Sequence, residues 1–151
     1  MDKILTVGIP CYNSAAYMDH CIESLLEGSG YADDLEIVIV DDGSAKDDTP
    51  AKADEWQTRY PAIIKAVHQE NGGHGMAVMK AVENASGLFF KNVDSDDWAD
   101  AEALGKLLDQ IRTFVAAGEL PDLIITNFIY DHTDEGTSHT VAYRHKLPVG
   151  R

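Results

Sequence analysis

Three aspartates fall within four residues, Asp94-Ser95-Asp96-Asp97, directly after an apolar run that ends at Val93. Mutual repulsion raises the free energy of carboxylates held this close together unless a cation lies among them. Carboxylate oxygens suit Mg²⁺ or Mn²⁺, which keep several waters and share their remaining positions with substrate phosphates. A solvated acidic turn with a helix cap is the alternative interpretation, because aspartate is common in turns. The segment therefore predicts a divalent-cation site or a capped turn.

Two further polar segments also follow apolar runs, Pro10-Cys11-Tyr12-Asn13 and Asp41-Asp42-Gly43-Ser44. In an open α/β sheet, ligands bind beyond the carboxyl ends of the strands. If the sheet is parallel, these two segments and the acidic one share the same rim. Their positions predict one binding site assembled from separate loops.

Apolar strand-like runs alternate with helical patterns along most of the chain, which is typical of βαβ units around a largely parallel sheet. Strands are expected over residues 4–9, 35–40, 63–68, 88–93 and 123–128, and an alternating segment predicts an edge strand over 140–145. Helices are expected over residues 15–27 and 49–60, between the glycine-rich turn at 71–75 and Ser86, and after a cap at Asp100. No repeat or linker interrupts this order, so the sequence predicts one α/β domain over residues 1–151.

Length and charge exclude several classes of protein. With 151 residues, 44% of them hydrophobic and 25% charged, the chain fits one globular domain and is too short for a complete (β/α)₈ barrel. Twelve basic and 26 acidic residues give a net charge of −14, which disfavours nucleic acid or an anionic bilayer as a partner. An anionic ligand would need a local positive charge, and a divalent cation is the obvious source.

The two cysteines, Cys11 and Cys21, are too few for a disulfide framework and have no metal-ligand spacing. A reduced, cytoplasmic protein is therefore expected. The first residues lack the features of a signal peptide, and no run approaches the roughly 20 apolar residues of a membrane span. The chain finishes at Lys146–Arg151 without a helix or polar tail, and we expect it to be an N-terminal part of a longer protein.

Several motif interpretations fail on inspection. An EF-hand loop starting at Asp94 would need an acidic or amide residue and then glycine where Trp98 and Ala99 stand. Neither a P-loop triplet nor a dinucleotide fingerprint follows Gly72. An aspartate-nucleophile phosphatase also places Asp-x-Asp after a strand, but its nucleophile usually follows the first strand, whereas three predicted strands precede Asp94. That class stays open as an alternative, as does a catalytically silent nucleotide-binding domain.

Four motifs in this order resemble the family 2 glycosyltransferases. They are Gly8-Ile9-Pro10-Cys11-Tyr12-Asn13, Ile37-Val38-Ile39-Val40-Asp41-Asp42-Gly43-Ser44, Glu70-Asn71-Gly72-Gly73-His74-Gly75 and Val93-Asp94-Ser95-Asp96-Asp97-Trp98. Their spacing agrees with the family over about residues 3–110, and the combination is far more specific than any one motif. The resemblance implies a glycosyltransferase A-type, Rossmann-like fold, with a mostly parallel sheet flanked by helices on both faces.

The resemblance also implies a set of site residues that contact a nucleotide-diphospho-sugar. This set is Pro10, Tyr12, Asn13, Asp41, Asp42, Gly73, Asp94, Ser95 and Asp96. Tyr12 would stack on the base, or be only a packed loop aromatic. Asp42 would accept a hydrogen bond from the base and Asp41 would orient the loop, although either could simply cap the Asp-Gly turn. Asp94 and Asp96 would form an Asp-x-Asp motif, with one carboxylate toward the ribose and the other toward the Mg²⁺ or Mn²⁺ ion. Asp97 is a second metal candidate, and the sequence does not choose between it and Asp96.

The implied reaction transfers a sugar to an acceptor hydroxyl with inversion at the anomeric carbon. UDP-sugar is the expected donor because it is frequent in the family, and the acceptor would be a saccharide or lipid-linked hydroxyl. The family's general base lies further along the chain and matches no residue here, so it is expected beyond residue 151. His74 is interpreted as a loop histidine rather than a ligand.

Overall fold

The computed structural model describes residues 2–144, so the last residue of the expected edge strand, His145, and the segment 146–151 lie outside the described residues. Four parallel strands form the main sheet: β1 (Leu5–Cys11), β2 (Leu35–Asp42), β3 (Ile64–Gln69) and β4 (Phe89–Asn92), in the order β3-β2-β1-β4. Every residue of β1 and β2 is buried, as expected for the central strands of a parallel sheet covered on both faces.

Strand register brings the polar segments to one level. β1 pairs with β2 from Leu5 opposite Leu35 to Cys11 opposite Asp41, so the two strands end side by side. β4 pairs with the other edge of β1, from Leu5 opposite Phe89 to Gly8 opposite Asn92. The loops that follow the three strands therefore leave the sheet at the same rim.

Four helices cover the sheet: α1 (Met18–Ser29), α2 (Thr49–Arg59), α3 (His74–Asn84) and α4 (Ala101–Ala117). The larger core contains side chains of α1, α2 and α4, including Met18, Trp56 and Leu108, so these helices share one face of the sheet. The smaller core joins Ala77 and Ala81 of α3 to β2 on the opposite face. The predicted α/β fold with helices on both faces is confirmed.

Small residues let α3 lie close to the sheet. A Cβ atom added at Gly8 of β1 would lie 2.7 Å from the Cβ of Ala81 and 2.7 Å from the Cζ of Phe90. The absence of a side chain at Gly8 therefore sets the distance between α3 and β1, and with it the position of the glycine-rich turn that precedes α3.

The predicted strand over residues 123–128 is wrong. Residues 122–127 form no sheet ladder, and β5 (Phe128–His132) begins where that strand was expected to end. Ile124 packs against the larger core, whereas Leu123 is 73% exposed. A run of apolar residues therefore does not by itself distinguish a strand from an extended segment that packs on the core through one side chain.

Two other boundaries differ from expectation. β6 (Thr137–Val141) pairs antiparallel with β5, from Phe128 opposite Val141 to His132 opposite Thr137, so it overlaps the expected edge strand only at residues 140–141. Helix α1 begins at Met18 rather than near residue 15. Residues 15–17 form a turn, in which the Ala15 amide donates to the Asp47 carboxylate at 2.9 Å. Within residues 2–144, no helix has the length and apolar character needed to cross a membrane.

Candidate functional site

The loop after β1 is fastened to the loop after β2. Asn13 has a φ of 50°, a left-handed conformation that asparagine tolerates better than most residues. Its amide N–H donates to Ser44 Oγ at 2.9 Å, and its Oδ1 accepts from the Lys46 amide at 3.1 Å. The two loops therefore have a fixed relative position before any ligand binds.

Ser14 joins a third loop to this pair. Its amide donates to Thr49 Oγ1 at 2.8 Å, at the start of α2. Its Oγ lies 3.1 Å from the Tyr12 amide, which donates to it, and 2.8 Å from Ser95 Oγ in the acidic loop. The loops after β1, β2 and β4 are thus connected by direct hydrogen bonds.

Asp42 is almost completely buried and holds the glycine-rich turn. Its Oδ1 accepts from the Gly72 amide at 2.8 Å and from Gln69 Nε2 at 2.7 Å, and its Oδ2 accepts from the Gly73 amide at 2.9 Å. Burial raises the pKa of Asp42, but these hydrogen bonds outweigh burial and hold the pKa below its ordinary value. The carboxylate therefore lies beneath the turn as an ionised support, and its expected contact with a base stays a prediction.

Asp41 points to the opposite face of the sheet from Asp42. Its side chain is 5% exposed, and its Oδ1 accepts from the Ser44 amide at 3.0 Å. Its Oδ2 lies 3.1 Å from Nδ1 of His68 on β3. These contacts match the loop-orienting role that the sequence left open for Asp41.

The acidic loop carries closely placed carboxylates. Asp94 Oδ1 accepts from Asn92 Nδ2 at 3.0 Å, and the Asp94 carbonyl accepts from the Asp97 amide at 3.0 Å. Burial, together with repulsion from Asp96 and Asp94, raises the pKa of Asp97 above its ordinary value. Burial and the same three carboxylates raise the pKa of the Cys21 thiol to about 12.

This donor set fits a hard divalent cation. A cation beside Asp94, Asp96 and Asp97 would relieve the repulsion that perturbs Asp97, and oxygen ligands are those that Mg²⁺ and Mn²⁺ prefer. Among residues 2–144, no three His, Cys, Asp or Glu side chains converge closely enough to hold a metal by themselves. That agrees with ions that take one or two carboxylates and complete their coordination with water and substrate phosphates.

The loop after β1, the acidic loop after β4 and the start of α3 enclose an open cleft of about 320 Å³. Its lining comprises Pro10, Tyr12, Asn13, Ser14, Tyr17, His74, Asp94, Ser95 and Asp96. Six of the expected site residues are thus brought together: Pro10, Tyr12, Asn13, Asp94, Ser95 and Asp96. Asp41, Asp42, Gly73 and Asp97 do not line the cleft, and the first two support the loops that do.

Tyr17 and His74 line the cleft although the sequence did not indicate it. The expected helix start near residue 15 put Tyr17 inside the helix and not in the loop. In the structure Tyr17 precedes α1, and its side chain is 59% exposed. His74 begins α3, and its Nε2 lies 3.7 Å from Asp94 Oδ1. The position of His74 within the motif Glu70-Asn71-Gly72-Gly73-His74-Gly75 could have indicated a place in the site.

Comparison with known proteins agrees with this geometry. The family described as "Glycosyl transferase family 2" matches residues 6–144. The putative glycosyltransferase EpsH of Bacillus subtilis (strain 168) is 38% identical over 128 residues, which are 85% of this chain and 34% of EpsH. The chain therefore spans about a third of the length of this relative.

Two solved structures show the same fold. TarS 1-349 of S. aureus in complex with UDP-GlcNAc is 27% identical, with a TM-score of 0.60 over 76% of this chain and 31% of that one. The mannosyltransferase PcManGT from Pyrobaculum calidifontis, in complex with GDP-Man and Mn²⁺, is 28% identical, with a TM-score of 0.61 over 72% of this chain and 32% of that one.

Proposed function

The chain belongs to glycosyl transferase family 2, and from that premise we propose that its cleft binds a nucleotide-diphospho-sugar. It is then the donor-binding part of an inverting, metal-assisted glycosyltransferase, and residues 1–151 form one donor-binding domain. The observation that carries this proposal is that hydrogen bonds connect the loops after β1, β2 and β4. Asn13 bonds to Ser44 of the second loop, and Ser14 bonds to Ser95 of the acidic motif.

Each part of the cleft has a role in this proposal. The half-exposed ring of Tyr12 offers a face for the base, and Pro10 and Asn13 shape the loop around it. The glycine-rich turn at Gly73, held by Asp42, lets the backbone approach the nucleotide closely. A UDP-sugar is the proposed donor; UDP-GlcNAc in TarS and GDP-Man in PcManGT both support a nucleotide-diphospho-sugar.

The acidic loop completes the donor site. In this proposal Asp94 and Ser95 would face the ribose side. Asp96 and Asp97 are the residues that would hold Mg²⁺ or Mn²⁺, and the Mn²⁺ in PcManGT supports a divalent metal. When bound, the cation would act as a Lewis acid that screens charge on the leaving diphosphate. The carboxylates also exclude a metal-free polyanion, because an acidic cleft repels phosphates.

The reaction forms a bond between the acceptor oxygen and C1 of the sugar, while the bond from C1 to the diphosphate breaks. A general base must accept the proton of the acceptor hydroxyl, which we propose belongs to a saccharide or a lipid-linked sugar. We propose that this base lies beyond residue 151, in a further part of the protein. The matched region is only 34% of the length of the relative EpsH. The aspartate-nucleophile phosphatase alternative gains no support from the family match.

Calorimetric titration with UDP and with GDP, each with and without Mn²⁺, tests the proposal. We expect UDP to bind only with the metal, and Asp96→Asn to weaken binding about tenfold or more because a metal ligand is lost. Asp33→Asn is the matched control, since Asp33 is exposed and precedes β2 at the opposite edge of the sheet. Binding that ignores the metal, or an unaffected Asp96→Asn variant, would contradict the proposal, and no binding at all would favour a silent domain.

A further inference from the structure

His68 lies between two carboxylates from different elements. Its Nδ1 is 3.1 Å from Asp41 Oδ2 at the end of β2, and its Nε2 is 2.9 Å from Asp54 Oδ1 on α2. Asp41 is 5% exposed, whereas the side chain of Asp54 is 63% exposed. The imidazole, on β3, thus connects a buried carboxylate at the end of β2 to a solvated carboxylate on α2.

Both contacts are favourable only when the ring is an imidazolium ion. A neutral imidazole carries one N–H, so one of its nitrogens would direct a lone pair at a carboxylate oxygen. Since Asp54 is solvated, water can replace that partner at little cost. Asp41 has no such substitute, because it is buried and its other oxygen accepts only the Ser44 amide.

The buried Asp41 carboxylate leads directly to the cleft. It fixes the Ser44 amide at 3.0 Å, and Ser44 Oγ in turn accepts from the amide of Asn13, which lines the cleft in its left-handed conformation. A shift of the Asp41 carboxylate would therefore move Ser44 and loosen the Asn13 loop.

We propose that His68 is a positioning residue of the donor site, which supplies the counter-charge for Asp41 and so fixes the turn that holds Asn13. This inference rests on the proposed donor binding. His68 touches no cleft atom in the described structure and acts through Asp41 alone.

Few other charged groups face the His68 ring. Asp54 approaches from α2 and Asp41 from β2, while Lys65 of β3 lies on the other face of the sheet by strand alternation. On β1, burial raises the pKa of the Cys11 thiol opposite Asp41, which keeps that neighbour neutral. Within residues 2–144, His68 is the basic side chain that contacts the Asp41 carboxylate.

The direction of the pH dependence follows from these contacts. Hydrogen bonds to Asp54 and to Asp41 raise the pKa of His68 above its usual value. A group with a raised pKa in the folded state contributes fully below its unfolded pKa of about 6.5, and the contribution is lost as the pH rises through the folded pKa. Donor affinity should therefore fall as the pH rises through the raised pKa of His68.

The experiment compares the wild-type chain with two variants and a control. His68→Asn keeps an N–H near Asp41 but cannot carry charge, and Asp54→Asn removes only the negative charge of the solvated partner. His139→Asn is the matched control, because His139 is an exposed histidine on β6. UDP affinity in Mg²⁺ and hydrogen exchange of the Ser44 and Asn13 amides in the free chain are followed between about pH 6 and about pH 8.5.

We expect wild-type and His139→Asn affinity to fall about fivefold across this range, as one charge-assisted hydrogen bond weakens. His68→Asn should bind weakly at every pH, with faster exchange at Ser44, and Asp54→Asn should move the transition to lower pH. Equal pH profiles and equal Ser44 exchange in wild type and His68→Asn would overturn the role of His68 alone. Absence of UDP binding by the wild type at every pH would instead contradict the proposed function, and this inference with it.

Discussion

At the scale of single residues, Asn13 combines an unusual backbone conformation with two hydrogen bonds. We expect Asn13→Ala to destabilise the fold by about 1–2 kcal/mol, because alanine tolerates a φ of 50° poorly and cannot accept from the Lys46 amide. Asn13→Gly relieves the backbone strain but also lacks the side chain. Urea unfolding and UDP titration of both variants separate the two effects.

If the loop is fixed mainly by the Asn13 side chain, both variants lose UDP affinity, and the alanine variant is the less stable of the two because it alone carries the backbone strain. Equal stability of Asn13→Ala and the wild type would contradict the strain argument. The sequence could indicate that Asn13 and Asp94 belong to the site, because polar residues at the ends of apolar runs are visible without a structure. It could not indicate that Asp41 and Asp42 point to opposite faces, because the expected strand ended at residue 40, and side chains alternate between faces only where both aspartates belong to β2.

At the scale of elements, the close packing of α3 on β1 fixes the position of the glycine-rich turn, because α3 begins directly after Gly73. Gly8→Ala would place a Cβ 2.7 Å from Ala81 and should destabilise the fold by about 1–3 kcal/mol through overpacking. Because α3 must shift to relieve the contact, UDP affinity should fall as well. Denaturant unfolding and UDP titration measure the two changes.

Gly105→Ala is the matched change for comparison. Gly105 lies within α4, where a new Cβ would meet only the Gly28 carbonyl oxygen at 3.4 Å. Alanine there should stabilise the fold by up to about 1 kcal/mol and leave UDP affinity unchanged, because helix interiors favour alanine over glycine. A Gly8→Ala variant as stable as the wild type would contradict the close-packing argument.

Helix α4 also shows which elements a sequence specifies. Its periodic apolar residues and its cap were predictable, and Asp100 accepts from the Ala103 amide at 2.8 Å as expected of a cap. The expected strand over residues 123–128 failed because only Ile124 of that stretch packs against the larger core, where it lies beside β4 without a ladder. An apolar run favours an extended segment, but a ladder forms only where a partner strand lies alongside, and the run itself does not indicate that partner.

At the scale of the whole molecule, binding and turnover should separate. The described residues supply a donor cleft, but a hydroxyl nucleophile also needs a positioned base, which contributes about 10²- to 10⁴-fold to a rate. We therefore expect the 151-residue chain to bind UDP with metal, yet to release UDP from UDP-GlcNAc no faster than its Asp96→Asn variant. A coupled assay of UDP release, run with saccharide and lipid-linked acceptors, measures this.

Sustained sugar transfer that depends on Asp96 would contradict the expectation and would require a base within the chain itself. The acidic residues Asp131, Asp134 and Glu135 lie in or beside the β5–β6 hairpin and are exposed. They would be the first to replace, each by its amide, in such a case. Binding without turnover would agree with the proposal that a divalent cation lets an acidic chain with a net charge of −14 hold a polyanionic donor, and that the general base lies outside residues 1–151.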